Sequence, residues 1–175
     1  SSVCTPSRAA LMTGNYPQRV GLHLDESDLC VLFPGGRKGI HADELTIAES
    51  LKAEGYATAC IGKWHLGDQL EFLPTRHGFD EYFGIPYSND MDAHYYSHND
   101  FQAPDLPLYR GEEVVERSPD QSLFTRRCTD AAIDFIERHK DERFFVYLAH
   151  PMPHRPIHAS EPWVGSSELG LYGDV

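Results

Sequence analysis

The sequence predicts an α/β domain with a largely parallel sheet flanked by helices. Two short apolar runs, "YATACIGKW" and "RFFVYLAH", have the length and composition of buried strands. Each run follows a segment with helical periodicity, and no hairpin turn is predicted between them. Helices that alternate with strands in this way are typical of parallel sheets.

The first two helices are marked by their ends. "SRAALMTG" is predicted to be a helix that starts just after Pro6 and stops at Gly14, since proline suits the first turn and glycine the position after the last. "ELTIAESLKAEG" has apolar residues at helical spacing and a stop at Gly55, which predicts an amphipathic helix. The strand "YATACIGKW" follows, and we expect it to end near Gly62.

The second half begins with a long stretch of few periodic signals. Residues 68–120 are rich in Pro, Gly, Asn, Asp and Tyr, which predicts surface loops that carry binding residues. "SLFTRRCTDAAIDFIERHK" is the clearest helix, and the strand "RFFVYLAH" follows it. The predicted apolar stripe of this helix consists of Leu123, Phe124, Cys128, Ala131, Ala132, Phe135 and Ile136.

Composition excludes several classes of protein. The 175 residues, 41% of them hydrophobic, suffice for one domain with a core. A net charge of −12 argues against nonspecific binding to nucleic acid or to an anionic membrane. No apolar run approaches the roughly 18 residues of a membrane span, and no signal peptide is visible. The four cysteines are widely scattered, so we expect neither a zinc knuckle nor a dense disulfide framework, and the redox compartment stays open.

Reactive side chains follow the predicted strands. "CIGKWHLG" places Lys63 and His65 just past one strand, and the opening "SSVCTPSR" places Cys4 at the start of a helix with Arg8 one turn on. "YLAHPMPHRPIH" supplies three histidines after the other strand: His150, His154 and His158. Ligands of such sheets collect at the carboxyl ends of the strands, so these groups would converge on a site for an anion.

Each of these residues also has a plainer interpretation. A lone cysteine such as Cys4 is more often an inert buried residue, and an exposed arginine is the default for Arg8. Lys63 and His65 are equally compatible with a solvated loop. The histidines mimic a helical HxxxH metal site, but the prolines among them make a helix there improbable. A cysteine-phosphatase site is disfavoured because the loop from Cys4 to Arg8 is short and Pro6 has no N–H.

Two motifs resemble a known family. "CTPSRAALMTG" and "GKWHLG" resemble the two signatures of the formylglycine-dependent sulfatases, in which a dedicated formylglycine-generating enzyme oxidises the cysteine of C-x-P-x-R. "RHGFDEYFGIPYSNDM" and "HRPIHAS" are similar to segments of the arylsulfatase A and N-acetylgalactosamine-6-sulfatase types. The resemblance covers nearly the whole chain. It implies the alkaline-phosphatase-like sulfatase fold, incomplete here, with residues 1–175 forming part of an N-terminal catalytic domain.

The resemblance implies a sulfuric ester hydrolase. Formylglycine made from Cys4 would hydrate to a geminal diol, one hydroxyl of which attacks the sulfate ester, while Ca²⁺ or Mg²⁺ polarises a sulfate oxygen. Lys63 would offset charge on the sulfate, and Arg8 would hold the hydrate. His65 would take a proton from the second hydroxyl, and His154 would protonate the leaving alcohol.

Further residues match the family less completely. Ser88 matches a serine near the sulfate, whereas His150 and His158 match no catalytic position. Asn15 stands where many members have a basic residue. Position 4, as formylglycine, is the only metal-ligand position of the family in this chain, since the others lie upstream and downstream together with a second lysine. We therefore expect an interior fragment that binds metal poorly and does not turn over.

Alternatives and the substrate remain open at this stage. A phosphonate or phosphate monoester hydrolase uses the same chemistry on the same fold, and a non-catalytic pseudoenzyme or binding module is a different class. In the family, variable loops distinguish sulfated glycans, sulfated lipids and small aryl sulfates. Here these loops correspond to residues 25–39 and 90–120. Arg37 and Lys38 would contact a polyanionic sugar or simply form a solvated turn. The family is commonly exported, to the periplasm or outside the cell, or lysosomal.

Overall fold

The secondary structure alternates between helices and strands, as the sequence predicts. The computed structural model describes residues 1–95, 97–98 and 101–175. The helices are α1 (Cys4–Thr13), α2 (Ile47–Ala53), α3 (Phe124–His139) and α4 (Leu171–Asp174). The strands are β1 (Ala57–Lys63), β2 (Glu81–Ile85), β3 (Ser97–His98), β4 (Phe101–Gln102), β5 (Pro107–Arg110), β6 (Glu113–Arg117) and β7 (Phe144–Ala149). Short 3₁₀ turns occur at Leu70–Phe72, Pro74–Arg76, Gln121–Leu123 and Glu161–Trp163.

The main sheet is mixed and has the order β6-β5-β2-β1-β7. Strand β1 pairs in parallel with β2 and with β7, so that Gly62 lies opposite both Gly84 and Ala149. Strands β5 and β6 extend the sheet as an antiparallel hairpin. The expected parallel arrangement is confirmed for the three strands that end together, while the expectation that hairpins are lacking is wrong.

The stretch 68–120 holds more regular structure than expected. It contains β2, the β5–β6 hairpin and the small antiparallel pair β3–β4, whereas only loops were predicted. Strand β2 is five residues long, and edge strand β6 is mostly charged and exposed, so neither shows a long apolar period. Tyr96, Asn99 and Asp100 of this stretch lie outside the described residues.

Helix α1 begins earlier than predicted. It starts at Cys4 rather than after Pro6, with the Ser7 amide donating to the Val3 carbonyl at 3.2 Å. Pro6 is tolerated because the amides of a first turn need no partner inside the helix. The helix ends where Gly14, at φ 69°, donates to the Ala10 carbonyl. Cys4 therefore lies in the first turn, next to unpaired amides and the positive end of the helix dipole.

Helix α2 starts later than predicted, at a capping box. The Thr46 hydroxyl accepts from the Glu49 amide at 3.1 Å, and the Glu49 carboxylate accepts from the Thr46 amide at 2.7 Å. This reciprocal pair closes the amino end of the helix. Leu45 therefore lies before the helix and is exposed.

Helix α3 packs on β1, β2 and β7 through Phe124, Cys128, Ala132 and Phe135, all buried. Leu123 and Ile136, which the predicted stripe included, are exposed. Leu123 belongs to the 3₁₀ turn before the helix, and Ile136 is rotated about 100° from Phe135 toward solvent.

Strand β7 is only partly buried, although the sequence predicts a buried strand. Its pattern is mostly intermediate, and Leu148 is exposed. In the described sheet β7 is an edge strand with one neighbour, β1, which explains the exposure. No helix in residues 1–95 or 101–175 has the length and apolar character needed to cross a membrane.

Close strand contact at the carboxyl ends depends on two glycines. A Cβ on Gly84 would lie 1.8 Å from the Gly62 carbonyl oxygen, and a Cβ on Gly62, at φ 107°, would lie 2.1 Å from the carbonyl oxygen of Ala149.

We predict that Gly84→Ala in the full-length protein lowers the free energy of unfolding by about 3 kcal/mol or more, because the colliding atoms are backbone. The urea midpoint measures this effect.

Gly111→Ala is the matched control for this prediction. Gly111 has φ 60° in the β5–β6 turn, but apart from the glycine and its two chain neighbours no described residue has an atom within 4 Å of the place that a Cβ would take. This variant should lose only about 1–2 kcal/mol, the cost of a left-handed conformation. Equal losses in the two variants would contradict the explanation by close contact.

Candidate active site

The site is built around a buried lysine at the end of β1. Lys63 is 2% exposed, and its ammonium donates to the Cys4 sulfur at 3.1 Å and to the Ser88 hydroxyl at 2.9 Å. Burial lowers the pKa of Lys63, and the charge of the Cys4 sulfur opposes this shift. A single cation thus joins the first turn of α1 to the loop after β2.

Arg8 fixes α1 against the sheet. Its guanidinium donates to the main-chain carbonyl of Lys63 and, at 3.1 Å, to the hydroxyl of Tyr147. Tyr147 lies on β7, where it pairs with Cys60 of β1. The arginine one turn after Cys4 is therefore held by two strands and is not the solvated side chain of the plainer interpretation.

His65 is buried and held in one orientation. It is 1% exposed and adopts φ 63°, a left-handed conformation that is rare for residues other than glycine. Its Nε2 lies 2.9 Å from the Leu32 carbonyl, so Nε2 carries a proton and donates. Burial lowers the pKa of His65, which favours the neutral ring. The remaining nitrogen, Nδ1, forms no hydrogen bond of normal geometry within the described residues.

His154 approaches the same sulfur from the loop after β7. Its Nδ1 donates to the Arg155 carbonyl at 2.7 Å, and its Nε2 lies 3.3 Å from the Ser88 hydroxyl. Hydrogen bonding to the Cys4 sulfur raises the pKa of His154, and burial opposes the rise. The two histidines of the site therefore have pKa values shifted in opposite directions.

The Cys4 environment strongly favours an anion. Hydrogen bonding from His154, then the interaction with His65, lowers the pKa of Cys4 to about 4, and the charge of Lys63 adds to this effect. Burial of the half-exposed thiol opposes the shift. The thiolate is the form present at neutral pH, so these groups create a pocket for negative charge.

The structure brings the six residues expected at the site into one network: Cys4, Arg8, Lys63, His65, Ser88 and His154. Their roles in a reaction remain predictions. The other two histidines of the last segment lie elsewhere. His150 lines a separate cavity of about 260 Å³ with Met152 and Tyr172, and His158 packs edge-on against Tyr95.

The basic turn in residues 25–39 is largely engaged in its own loop. Lys38 donates its ammonium to the Leu24 carbonyl at 2.5 Å, and the Arg37 amide donates to the Glu26 carboxylate. Only the Arg37 side chain of this pair is exposed. Asn15, the departure from the family pattern, donates to Glu44 at 3.4 Å.

Sequence reasoning missed residues whose partners are distant in the chain. Tyr147 looks like one more apolar residue of a strand until its contact with Arg8 is seen. Asp90 has a buried carboxylate oxygen without a hydrogen bond in the described chain, and its charge opposes the lowering of the Lys63 pKa and adds to the rise of the His154 pKa. The position of Asp90 after a strand end could have indicated that it lies near the site, but strand β2 was not predicted.

A metal site is not complete in these residues. Within the described part of the chain, no three His, Cys, Asp or Glu side chains are grouped so that they could hold a metal ion. Cys4 is the one position at which the resemblance predicts a ligand. The described residues therefore do not fit a metal by themselves.

Comparisons with known proteins agree with this geometry. The protein-family model described as Sulfatase matches residues 1–172. N-acetylgalactosamine-6-sulfatase of Homo sapiens is 35% identical over 185 residues, which cover 99% of this chain and 34% of the relative. Arylsulfatase A of Bos taurus is 37% identical over 191 residues, with 99% and 36% covered. The chain thus spans about a third of the length of these relatives.

Solved structures show the same fold. The PsFucS1 sulfatase from Pseudoalteromonas sp. superposes with a TM-score of 0.79 at 24% identity over 98% of this chain and 38% of that one. Ps i-CgsB in complex with k-i-k-neocarrahexaose gives a TM-score of 0.72 at 30% identity, over 98% of this chain and 40% of that one. The fold is therefore the alkaline-phosphatase-like fold of these enzymes. With the family match over almost its whole length, the chain belongs to the sulfatase family.

Proposed function

We propose that the protein hydrolyses sulfate monoesters at this site after Cys4 has been converted to formylglycine by a formylglycine-generating enzyme. The observation that carries the proposal is the convergence of Lys63, His65 and His154 on the Cys4 sulfur. A hydrated aldehyde at position 4 would supply a nucleophilic hydroxyl and a second hydroxyl whose deprotonation releases sulfate. The two oxygens of the hydrated aldehyde would contact the same side chains that surround the Cys4 sulfur in this structure.

The sulfate group is bound by positive charge and donors that are already in place. The Lys63 ammonium donates toward position 4 and toward Ser88, so it lies beside any sulfate held between them. Cys4 is in the first turn of α1, where backbone amides and the helix dipole favour an anion. Because these donors are fixed by the fold, little reorganisation is needed as charge develops on the sulfate oxygens.

His65 is arranged to accept a proton. Its Nε2 donates to the Leu32 carbonyl, so the neutral ring leaves a lone pair on Nδ1, the nitrogen available to position 4. The pKa lowered by burial keeps this nitrogen unprotonated at neutral pH. We assign His65 the removal of the proton from the second hydroxyl.

His154 is arranged to donate a proton. Both nitrogens lie 3.3–3.4 Å from the Ser88 hydroxyl, but Nδ1 is engaged by the Arg155 carbonyl, so Nε2 is the nitrogen left to serve position 4. An anion at position 4 raises the pKa of His154, and the negative charge of a bound sulfate ester would take over that effect after conversion of the cysteine. We assign Nε2–H of His154 the protonation of the leaving alcohol.

Ca²⁺ or Mg²⁺ belongs to the proposal only as an expectation from the family. Position 4, as formylglycine, is the one ligand that this chain would supply, and further ligands would have to come from outside the described residues. The steps above therefore use the side chains of this chain alone.

We propose a sulfated sugar as the substrate class. The human relative is named for a sulfated sugar, and i-CgsB binds a neocarrahexaose, which supports glycans over lipids and small aryl sulfates. The runner-up function is phosphate or phosphonate monoester hydrolysis, for which the same cation and histidines would serve. Rates on sulfate and phosphate esters of one alcohol, measured side by side, distinguish the two.

Conversion of Cys4 is the first prediction. In full-length protein made with the formylglycine-generating enzyme, the peptide containing Cys4 should lose about 18 mass units, since –CH2SH becomes –CHO. Sulfate release should require this change, and Cys4→Ala should abolish it. A peptide that keeps its thiol in an active preparation would sink the proposal.

Loss of the His65 base is the second prediction. His65→Asn keeps a residue that tolerates the left-handed conformation but removes the base at Nδ1. The first equivalent of alcohol should still be released rapidly, while sulfate release should slow by about 10²-fold or more. Rapid-quench measurement of both products tests this. Equal slowing of alcohol and sulfate would contradict the assigned role.

The acidity of unconverted Cys4 is the third prediction. Without conversion, alkylation of Cys4 by iodoacetamide should have a midpoint near pH 4, because the pKa of this thiol is lowered to about 4 and it borders an open cavity. His154→Ala should move the midpoint upward, since His154 contributes most to the shift. Cys128, whose pKa is raised by burial to about 12, is the unreactive internal control. An alkylation midpoint at about pH 8.5 for Cys4 would contradict the lowered pKa.

A further inference from the structure

A buried amide pair lies behind the leaving-group side of the site. Asn89 and Gln121 are 0% and 4% exposed. The Asn89 Nδ2 donates to the Gln121 Oε1 at 2.9 Å, and the Gln121 Nε2 donates to the main-chain carbonyl of Asn89 at 2.9 Å. Two reciprocal bonds between buried amides hold both side chains in one arrangement.

The pair links three segments of the chain. Asn89 directly follows Ser88 in the loop after β2, and Gln121 opens the 3₁₀ turn that leads into α3. The Asn89 Nδ2 also donates to the Pro156 carbonyl at 3.2 Å, two residues beyond His154. Both Nδ2 protons are used, whereas Oδ1 has no hydrogen bond within the described residues. The contacts of the Asn89 side chain with the described residues are thus made by its amino group.

This link lies beside two site residues that come from different loops. Ser88 and His154 approach to 3.3 Å, but they belong to loops 66 positions apart in sequence. The main-chain bond of the His154 ring goes to Arg155 in its own loop, so it orients the ring without fixing the loop. The bond from Asn89 to Pro156 fixes that loop to the residue next to Ser88.

We propose that Asn89 and Gln121 are positioning residues that hold the Nε2 of His154 at the leaving oxygen. The inference rests on the proposed function, in which His154 protonates the departing alcohol. A proton donor that is displaced matters most when the alcohol is a poor leaving group and hardly at all when the leaving oxyanion is stable. The effect of losing the amide pair should therefore depend on the leaving group.

The experiment compares p-nitrophenyl sulfate with phenyl sulfate, using the full-length, converted enzyme. For Asn89→Ala, kcat/KM on phenyl sulfate should fall about 10- to 100-fold, mainly in kcat, while on p-nitrophenyl sulfate it should fall less than about 3-fold. Gln121→Met, at nearly constant length, removes both bonds of the amide pair but leaves the donor to Pro156 in place, so it should give the same contrast in weaker form, and it serves if Asn89→Ala folds poorly. His154→Ala should show the steepest dependence on the leaving group.

Thr58→Ala is the matched control. Thr58 is 0% exposed at the amino end of β1, and its hydroxyl donates to the Gly78 carbonyl at 2.7 Å. Thr58→Ala also removes buried hydrogen bonds, but at the end of the strand away from Lys63. Any change in kcat/KM should therefore be equal for the two substrates. The positioning role alone would be overturned if Asn89→Ala and Gln121→Met each slowed the two substrates equally while His154→Ala still depended steeply on the leaving group. A converted wild type that releases no sulfate would overturn the proposed function and the inference with it.

Discussion

The rest of the site depends on one buried cation. An ammonium that is 2% exposed is costly unless it has partners, and Lys63 finds them in the Cys4 sulfur and the Ser88 hydroxyl. Its own carbonyl accepts from Arg8, so the same residue is tied to α1 at both ends. The position of α1 against the sheet and the charge at position 4 are therefore two consequences of one arrangement. An anion at position 4, whether thiolate or sulfate ester, completes it.

The motif "GKWHLG" combines packing with chemistry. Gly62 permits the close approach of β7, and Trp64 is buried in the core, where its indole donates to the Phe72 carbonyl at 2.7 Å. Lys63 and His65, which alternate with these residues, reach the site. The last glycine, Gly67, leaves room for the Phe72 ring, which a Cβ would meet at 2.6–2.8 Å. The motif is specific because each of its positions is constrained by one of these two demands.

Local patterns predicted the parts of the fold that they control. Helices α1, α2 and α3 and strands β1 and β7 follow from periodicity and end signals. The convergence of Cys4, Arg8, Lys63 and His65 with the histidine segment follows from the position of strand ends in a parallel sheet, whereas Ser88 and the choice of His154 came from the family resemblance. Strand β2 and the β5–β6 hairpin were missed because they are short and one lies at a charged edge. Tyr147 and the Asn89–Gln121 pair could not be predicted, since their role lies in contacts with residues more than 30 positions away.

The two histidines of the site differ in what holds their rings, and this difference suits the separate roles that we propose for them. The ring of His65 is bound to the Leu32 carbonyl, 33 residues away, and Leu32 is in turn bound through its amide to the Thr5 hydroxyl of α1. The His65 ring is thus linked to α1 through Leu32 and Thr5, and burial lowers its pKa, which favours the neutral ring. The main-chain bond of the His154 ring goes to Arg155 in its own loop, and hydrogen bonding to the Cys4 sulfur raises its pKa. Opposed pKa shifts agree with the roles that we propose, in which one ring accepts a proton and the other donates it. The donor alone requires an additional anchor for its loop, and the amide of Asn89 is placed to provide it.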